Sequence, residues 1–246
     1  MSKALWRLIP LLSATSRVQM ALDTWLFEQH YQGLSPPVLR FYTWSVPAIS
    51  LGYHQRHWPS TWKQLSWQGG PVELVRRPTG GRAVLHQGDL TYAVIASGLP
   101  GNRLQAYQTI CEFLIQGWRS LGVELHYGQA KRNYIQNSNC FATATGADLL
   151  LADGSKLIGS AQLWRGSTVL QHGSMQLNPD PQLWTQVFGS SPEGTLGQQP
   201  IAEAQVIQSL ISSANHCFDA QLQVQPLSSS EWQVVAAKAS AMDQLF

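Results

Sequence analysis

The stretch from Val75 to Ile95, VRRPTGGRAVLHQGDLTYAVI, carries the densest structural signal in the chain. The pattern predicts a strand that ends in two arginines, a Pro-Thr-Gly-Gly turn and a second strand that carries His86. Glycine adopts positive φ and has no side chain, so Gly80 and Gly81 would let a carbonyl or phosphate group approach main-chain N–H donors. The alternative is an ordinary hairpin with solvated arginines, and the residues alone do not decide between the two.

Helix and strand patterns precede and follow this stretch. Apolar residues at helical spacing between Val18 and Leu26 predict an early amphipathic helix. Two apolar stretches opened by Pro36 and Pro47 are rich in β-branched or aromatic residues and predict strands. A long apolar stripe from Leu104 to Leu121 predicts a helix, which Gly122 closes.

The sequence of the second half of the chain predicts an antiparallel meander followed by a C-terminal segment of helices and a strand. Asp153-Gly154 lies between two apolar runs and is a strong hairpin signal, and Arg165-Gly166 marks a second turn. Three consecutive antiparallel strands follow from these turns. Residues 201–246 alternate helix, strand and helix, which predicts an extension of the same domain rather than a second one.

Composition limits the class of protein. The chain has 246 residues, 44% hydrophobic and 12% charged, which excludes disorder as the main state and predicts one large domain, or at most two. Because the tail is too short for a second domain, we expect one domain over 1–246. Sixteen Lys and Arg stand against 14 Asp and Glu, so the formal charge is only +2 and field-driven nucleic-acid binding is not expected. No apolar run approaches the roughly 18 residues of a membrane helix, and no export signal is evident, so we expect a soluble protein without membrane association.

The three cysteines, Cys111, Cys140 and Cys217, form no C-x-x-C pair. Their odd number and spacing indicate neither a disulfide framework nor a zinc site, and a reducing, cytoplasmic compartment fits best. The histidines show no metal-ligand spacing either, so no metal is expected. Cys111 and Cys217 fall in apolar helical patterns, whereas Cys140 ends a polar loop and is the thiol we expect to be most exposed.

Cys140, Lys156 and His172 could converge on one site. A thiolate is the reactive form of cysteine, a nearby ammonium lowers the pKa of a thiol, and a lysine can hold an acyl carbonyl oxygen. The alternative is structural, because a lone cysteine is more often a small buried hydrophobe and a lone lysine is usually solvated.

Four segments together resemble a known family: RRPTGGRAVLH from Arg76, LGYHQ from Leu51, KLIGSAQ from Lys156 and LQHGS from Leu170. The chain resembles the lipoate/octanoate transfer family, which includes lipoate–protein ligases, octanoyltransferases and biotin ligase-like catalytic domains. Further likeness to octanoyltransferases of the LipM type lies in MALD at Met20, PPVLRFYTW at Pro36 and NCF at Asn139. The resemblance is strongest over residues 6–177.

The resemblance implies a fold and a set of site residues. The fold would be α+β, with a mixed, largely antiparallel sheet flanked by helices, as in class II aminoacyl-tRNA synthetase and biotin protein ligase catalytic domains. Cys140 would be the acyl-thioester nucleophile, and Lys156 would lower its pKa. The substrate-binding residues would be Arg76, Gly80, Gly81, His86, Gly159, Ser160, Ala161 and His172.

The resemblance also implies a reaction and its partners. Octanoyl would pass from acyl carrier protein through Cys140 to a lysine of a lipoyl domain or of the glycine cleavage H protein, with no cofactor. ATP-dependent ligases of the family carry an Asn-Asp pair and a third glycine where this chain has Cys140-Phe141 and Arg82, which favours transfer without ATP. Basic residues that could dock such acidic partners are Arg76, Arg77, Lys131 and Arg132.

Three other functions stay open at the sequence level. An ATP-dependent lipoate–protein ligase would need nucleotide for activity. A lipoyl-domain octanoyl amidotransferase would use Cys140 but take its acyl group from another lipoyl-bearing protein. A non-catalytic protein would bind lipoate or lipoylated partners without turnover.

Overall fold

The computed structural model describes residues 3–128, 148–192, 196 and 201–242. The helices in these ranges are α1 (Ser16–Tyr31), α2 (Arg103–Ser120), α3 (Pro181–Phe188), α4 (Glu203–Cys217) and α5 (Ser229–Ala241). The strands are β1 (Ala4–Ala14), β2 (Val38–Trp44), β3 (Ala48–Leu51), β4 (Ser66–Trp67), β5 (Gly70–Pro71), β6 (Glu73–Arg76), β7 (Val84–His86), β8 (Asp89–Ser97), β9 (His126–Tyr127), β10 (Asp148–Leu150), β11 (Lys156–Arg165), β12 (Thr168–Gln176) and β13 (Ala220–Val224). Three of the residues singled out above, Cys140, Lys131 and Arg132, lie outside the described residues.

An eight-stranded sheet in the order β13-β1-β2-β8-β12-β11-β10-β9 forms the centre of the fold. Strand β1 pairs in parallel with β13 and β2, whereas the pairings from β2 onward to β9 are antiparallel. The predicted α+β class with a largely antiparallel sheet is therefore confirmed. No helix within the described ranges is both long enough and apolar enough to cross a bilayer.

Strand β8 lies in the middle of this sheet and contributes to a core on each face. Successive side chains of a strand point to opposite faces, so Tyr92 and Val94 join the core beneath α2 and α4. Ala93 and Ile95 join the second core, beneath α1 and α5. Helices thus cover both faces, and β8 is buried along its length except at Ser97.

A three-stranded sheet, β6-β3-β7, stands beside the main sheet. Strand β3 lies between the other two, parallel to β6 and antiparallel to β7. The hairpin alternative for the Gly-Gly region is therefore wrong, because β6 and β7 pair with β3 and not with each other. A third core beneath this sheet includes Leu183 and Trp184 of α3.

The predicted elements agree with the structure over most of the chain. Helix α1, strands β2 and β3, and helix α2 are where the periodicity placed them, and Gly122 ends α2 with φ +81°. The meander β10-β11-β12 follows the two predicted turns, and α4, β13 and α5 form the predicted tail.

Strand β1 is not predicted by the sequence pattern. Its burial does not alternate with period two, and the register with β2 shifts between Ile9 and Leu12. Pro10 lies at that shift, where its missing N–H interrupts the ladder. An irregular strand of this kind gives no strand periodicity in the sequence.

Arg7 of β1 joins the C-terminal segment to the sheet. Its buried guanidinium donates to both carboxylate oxygens of Glu231, at 2.8 and 2.9 Å, and to the carbonyl oxygens of Gln225 and Pro226. The hydrogen bonds from Arg7 hold the pKa of Glu231 below its usual value. The start of α5 is therefore tied to β1.

We expect Arg7→Met to lower the free energy of unfolding by about 2–3 kcal/mol, because the Glu231 carboxylate loses its guanidinium partner and two carbonyls lose the Arg7 donor. Arg119→Met is the matched control. It removes an exposed ion pair with Glu124, in which the side chains are 49% and 54% exposed, and should cost less than about 1 kcal/mol. Urea denaturation measures both, and equal losses would contradict the role given to Arg7.

Candidate active site

A cavity of about 250 Å³ is lined by residues of both sheets and of α1. For scale, an apolar cavity of about 150 Å³ holds benzene, so this one has room for a medium-length acyl chain. Its walls include the apolar or aromatic side chains of Met20, Tyr42, Trp44 and Val84. The remaining walls are polar side chains and glycine backbone.

The structure brings most of the predicted site residues to this cavity. Those that line it are Gly80, Gly81, His86, Gly159, Ser160, Ala161 and His172. Lys156 and Arg76 are not among the lining residues, although Lys156 bonds one of them, Asp148. The roles assigned to all of these residues, and to Cys140 outside the described residues, stay predictions.

The Gly-Gly turn is held from inside by Arg77. The Arg77 guanidinium is 5% exposed and donates to the carbonyl oxygens of Gly80 at 2.7 Å, Arg82 at 2.7 Å and Ser50 at 2.9 Å. A buried guanidinium must have its N–H groups bonded, and here loop carbonyls do this. The prediction of Arg77 in a docking patch is therefore wrong, since its charge is not presented to solvent.

Arg76 lies on the other side of the strand and braces a different loop. Its Nη1 donates to the carbonyl oxygens of Gly52 and Gln55, each at 2.8 Å. These bonds fix the LGYHQ segment against β6. Arg76 therefore braces a segment that is not part of the cavity lining, and its predicted role in substrate binding stays a prediction.

The turn at Gly80 and Gly81 passes close to Gly52. A Cβ atom on Gly52 would lie 1.8 Å from the Gly81 carbonyl oxygen, so the two backbones are in contact. Within the described residues, the amide N–H groups of Gly80 and Gly81 have no acceptor. Both glycines line the cavity, where such amides can receive a ligand oxygen.

Lys156 forms a buried ion pair with Asp148. The Lys156 Nζ lies 2.7 Å from Asp148 Oδ1, and the two side chains are 3% and 5% exposed. Asp148 lines the cavity and pairs in register with Gly159 across β10 and β11. The ammonium is therefore fixed beside the cavity, with its charge balanced by a carboxylate.

His86 stands in the cavity wall between two oxygen partners. Its Nε2 is 2.8 Å from Ser50 Oγ, and its Nδ1 is 2.8 Å from Asp89 Oδ2. The Trp44 ring stacks on the imidazole with centroids 3.8 Å apart. Burial lowers the pKa of His86, and Asp89 opposes this only in part, so the imidazole is neutral at pH 7.

His172 forms a second chain of hydrogen bonds. Its Nε2 is 2.6 Å from Thr79 Oγ1, and its Nδ1 is 2.8 Å from Asp23 Oδ2. Asp23 also accepts from Arg40 at 3.0 Å and from the Tyr42 hydroxyl at 2.9 Å. Burial, followed by the charge of Asp23, raises the pKa of Tyr42 well above its usual value, so Tyr42 is a hydrogen-bond donor here.

The two cysteines within the described residues are poor candidates for a nucleophile. Cys111 is fully buried in α2, and burial raises its pKa to about 12. Cys217 is half-buried, and burial raises its pKa as well. Neither thiol lines the cavity.

Several residues at the cavity were missed from the sequence. Counting back from the Asp153-Gly154 turn pairs Asp148 with Gly159, as observed, so the hairpin signal could have found Asp148. Asp23 and Arg40, which bond residues of the cavity wall, are charged residues within otherwise apolar segments. A charge in such a segment usually has a specific partner, and this signal could have found both residues.

We expect Gly81→Ala to destabilise the protein and Gly80→Ala to leave stability nearly unchanged. Gly81 has φ +94°, which costs an L-residue about 1–2 kcal/mol, and a Cβ there would lie 2.7 Å from the braced Nη2 of Arg77. A Cβ on Gly80 would meet no atom within 4 Å. Thermal unfolding of both variants measures the difference, and equal midpoints would contradict the described turn.

Comparison with known proteins gives a consistent result. A family model described as "Lipoyl protein ligase A/B catalytic domain" matches residues 15–224. The octanoyltransferase LipM of Kyrpidia tusciae is 37% identical over 188 residues, which span 72% of this chain and 68% of that relative.

Solved structures share the fold. Protein Ta0514 of T. acidophilum, with bound lipoic acid, has a TM-score of 0.79 at 22% identity and covers 96% of this chain and 95% of its own. A bi-partite lipoate protein ligase of Thermoplasma acidophilum, studied with its E2 lipoyl domain, has a TM-score of 0.74 at 19% identity, covering 98% and 93%.

Proposed function

The chain belongs to the lipoyl protein ligase A/B catalytic domain family, and from this premise we propose that it is an octanoyltransferase of lipoate biosynthesis. It moves octanoyl from acyl carrier protein, through a thioester on Cys140, to a lysine of a lipoyl domain or of the glycine cleavage H protein. The observation that carries the proposal is the cavity, which combines an apolar wall with a fixed lysine at its edge.

The cavity suits a medium-length acyl chain. Burying seven carbons beyond the carbonyl at about 0.8 kcal/mol each supplies roughly 5 kcal/mol before ordering costs. Met20, Trp44 and Val84 offer apolar surface for that chain. Octanoyl is therefore preferred to very short acyl groups, which gain little from this wall.

The polar wall suits the carbonyl end of the substrate. Gly80 and Gly81 line the cavity, their amides have no acceptor in the described residues, and Lys156 is fixed beside it. Donors of this kind stabilise the oxyanion that forms when a thioester is attacked. The Lys156 ammonium also favours the thiolate form of a nearby cysteine.

Cys140 is the nucleophile in this proposal. Its thiolate forms a C–S bond to the octanoyl carbon, the C–S bond to the carrier breaks, and the carrier sulfur takes up the proton that the Cys140 thiol gave up. The unprotonated amine of the acceptor lysine then forms the C–N bond, the C–S bond to Cys140 breaks, and one amine proton returns to the Cys140 sulfur. The raised pKa values of Cys111 and Cys217 argue against those two thiols, which leaves Cys140 as the third cysteine.

Acceptor and compartment follow from the same chemistry. The bi-partite ligase named above belongs to an archaeal lipoylation system that includes its E2 lipoyl domain, and we propose a lipoyl domain or the related H protein as acceptor here. Because the mechanism needs a reduced thiol, we propose a cytoplasmic location.

The test is intact mass spectrometry after mixing the protein with octanoyl-acyl carrier protein without ATP. We expect an octanoyl adduct that hydroxylamine removes and that Cys140→Ser abolishes. Cys217→Ser, which replaces a half-buried thiol, is the matched control and should keep the adduct. Lys156→Met should slow its formation about 100-fold, because an oxyanion donor is lost.

Other outcomes identify other functions. Transfer only with free octanoate and ATP would make the protein a ligase. An adduct formed from an octanoylated lipoyl-bearing protein, but not from acyl carrier protein, would make it an amidotransferase. Binding without adduct or turnover would make it a non-catalytic binding protein.

A further inference from the structure

Acidic residues are unevenly distributed along the chain. Between Glu28 and Asp89 the sequence contains one acidic residue, Glu73, against six lysine and arginine residues. The Glu73 carboxylate accepts from the backbone N–H of Ser16 at 2.7 Å, at the start of α1. This stretch includes the whole three-stranded sheet and its connecting loops. The part of the fold beside the cavity therefore carries an excess of positive charge.

Two of these six cations are available to a partner. Three of the others are buried: Arg40, Arg77 and Arg82. Arg76 is half-buried and directs its Nη1 to backbone carbonyl oxygens. Arg56 and Lys63 are exposed, and neither forms an ion pair within the part of the chain that the structure describes.

Two exposed arginines elsewhere in the fold have carboxylate partners. Arg119 Nε lies 3.1 Å from Glu124 Oε1, and Arg165 Nη2 lies 3.9 Å from Glu28 Oε1. A partner carboxylate offsets most of the field of such a cation at a distance. The charges of Arg56 and Lys63 are not offset in this way, so they act on an approaching molecule.

Both cations belong to residues 52–63, here called the basic loop, which is fixed beside the cavity. The Tyr53 N–H donates to the Thr79 carbonyl oxygen at 2.8 Å. The backbone of Gly52 is in contact with that of Gly81, which lines the cavity. The basic loop therefore has a defined position next to the Gly-Gly turn.

Exposed aromatic side chains accompany the two cations. Tyr53 is 58% exposed, and its ring stands perpendicular to that of His54 with centroids 4.8 Å apart. The Lys63 Nζ lies 5.6 Å from the centroid of the Trp58 ring. Tyrosine, tryptophan and arginine are enriched where proteins bind one another. The basic loop thus offers a partner protein an aromatic anchor as well as charge.

We propose that the basic loop is the docking surface for the acyl carrier protein that donates the octanoyl group. The proposal rests on the proposed octanoyl transfer and adds to it the surface on which the donor binds. The donor is an acidic protein, and the exposed charges of Arg56 and Lys63 complement it. Neither these two residues nor Tyr53 was among the docking residues predicted from the sequence.

The position of the basic loop favours the donor over the acceptor as its partner. Of the described residues, none between 53 and 63 lines the cavity, so a protein bound there lies beside the cavity rather than over it. The acyl group of a carrier protein hangs on a flexible prosthetic arm that is longer than a lysine side chain. The donor can therefore dock to one side and extend its acyl group into the cavity, whereas the acceptor has only a lysine side chain for this.

The first experiment measures binding without turnover. The ligand is an octanoyl-acyl carrier protein in which an amide replaces the thioester, and the full chain binds it at low and high salt. The double variant Arg56→Glu/Lys63→Glu should raise the Kd about 30-fold at low salt, mainly through slower association. At about 1 M salt, where the screening length is about 3 Å, its Kd should approach that of wild type. Tyr53→Ala should raise the Kd about tenfold at either salt concentration.

The matched control is Lys3→Glu/Arg119→Glu. It makes the same change in net charge at two exposed positions outside the basic loop. Its Kd should stay within about threefold of wild type, because charges farther than a screening length from the contact have little effect.

The second experiment compares the two half-reactions with thioester donor and a lipoyl domain. In ping-pong kinetics, kcat/KM for each substrate reports its own half-reaction. Charge reversal in the basic loop should lower kcat/KM for the octanoyl-acyl carrier protein about 30-fold at low salt and leave kcat/KM for the lipoyl domain unchanged. Retained kcat shows that the variant is folded.

Two results would overturn the proposal while the proposed function stands. The loop variant could bind the carrier as tightly as the control does, which would leave the basic loop without a docking role. Both kcat/KM values could instead fall equally, which would contradict the choice of the donor. Failure of the proposed function looks different: wild type would then bind no octanoyl carrier and transfer nothing from it, and the docking proposal would fall as well.

Discussion

The buried guanidinium of Arg77 is the interaction on which the cavity depends. It lies at 5% exposure and directs its N–H groups to the carbonyl oxygens of Ser50, Gly80 and Arg82. Because a charge out of water must have polar partners, the Gly-Gly turn has to curl back on β6 to supply them. The same side chain also donates to the Ser50 hydroxyl oxygen at 3.2 Å, so one buried charge joins β3 to the Gly-Gly turn.

A second buried charge links elements that are distant in sequence. Asp23 of α1 accepts from Arg40 and Tyr42 on β2 and lies beside His172 on β12. Removing one partner of such a group costs several kcal/mol, so the network specifies how α1 sits on the sheet. The hydrogen-bonded networks around Arg77 and Asp23 both include residues that line the cavity. A wholly apolar core would pack more simply, but it would offer no groups that donate or accept protons.

The sequence predicted local structure well and non-local structure poorly. Turn dipeptides such as Asp153-Gly154 predicted the meander, but not the register shift between Leu149 and Leu150. The position of β3 between β6 and β7 could not be read, because the pairing joins segments separated by more than twenty residues. The internal role of Arg77 was missed for the same reason. The cavity residues came from family resemblance, not from periodicity, and Cys140 lies outside the described residues.

The contact between Gly52 and Gly81 has a consequence for changing the substrate range. A Cβ atom on Gly52 would lie 1.8 Å from the Gly81 carbonyl oxygen. The backbone of the LGYHQ loop therefore cannot change its path unless the Gly-Gly turn changes as well. A chimera that takes the Gly-Gly turn from a relative must take the LGYHQ loop from the same donor. The two loops form a single transplantable unit, although about thirty residues of chain separate them.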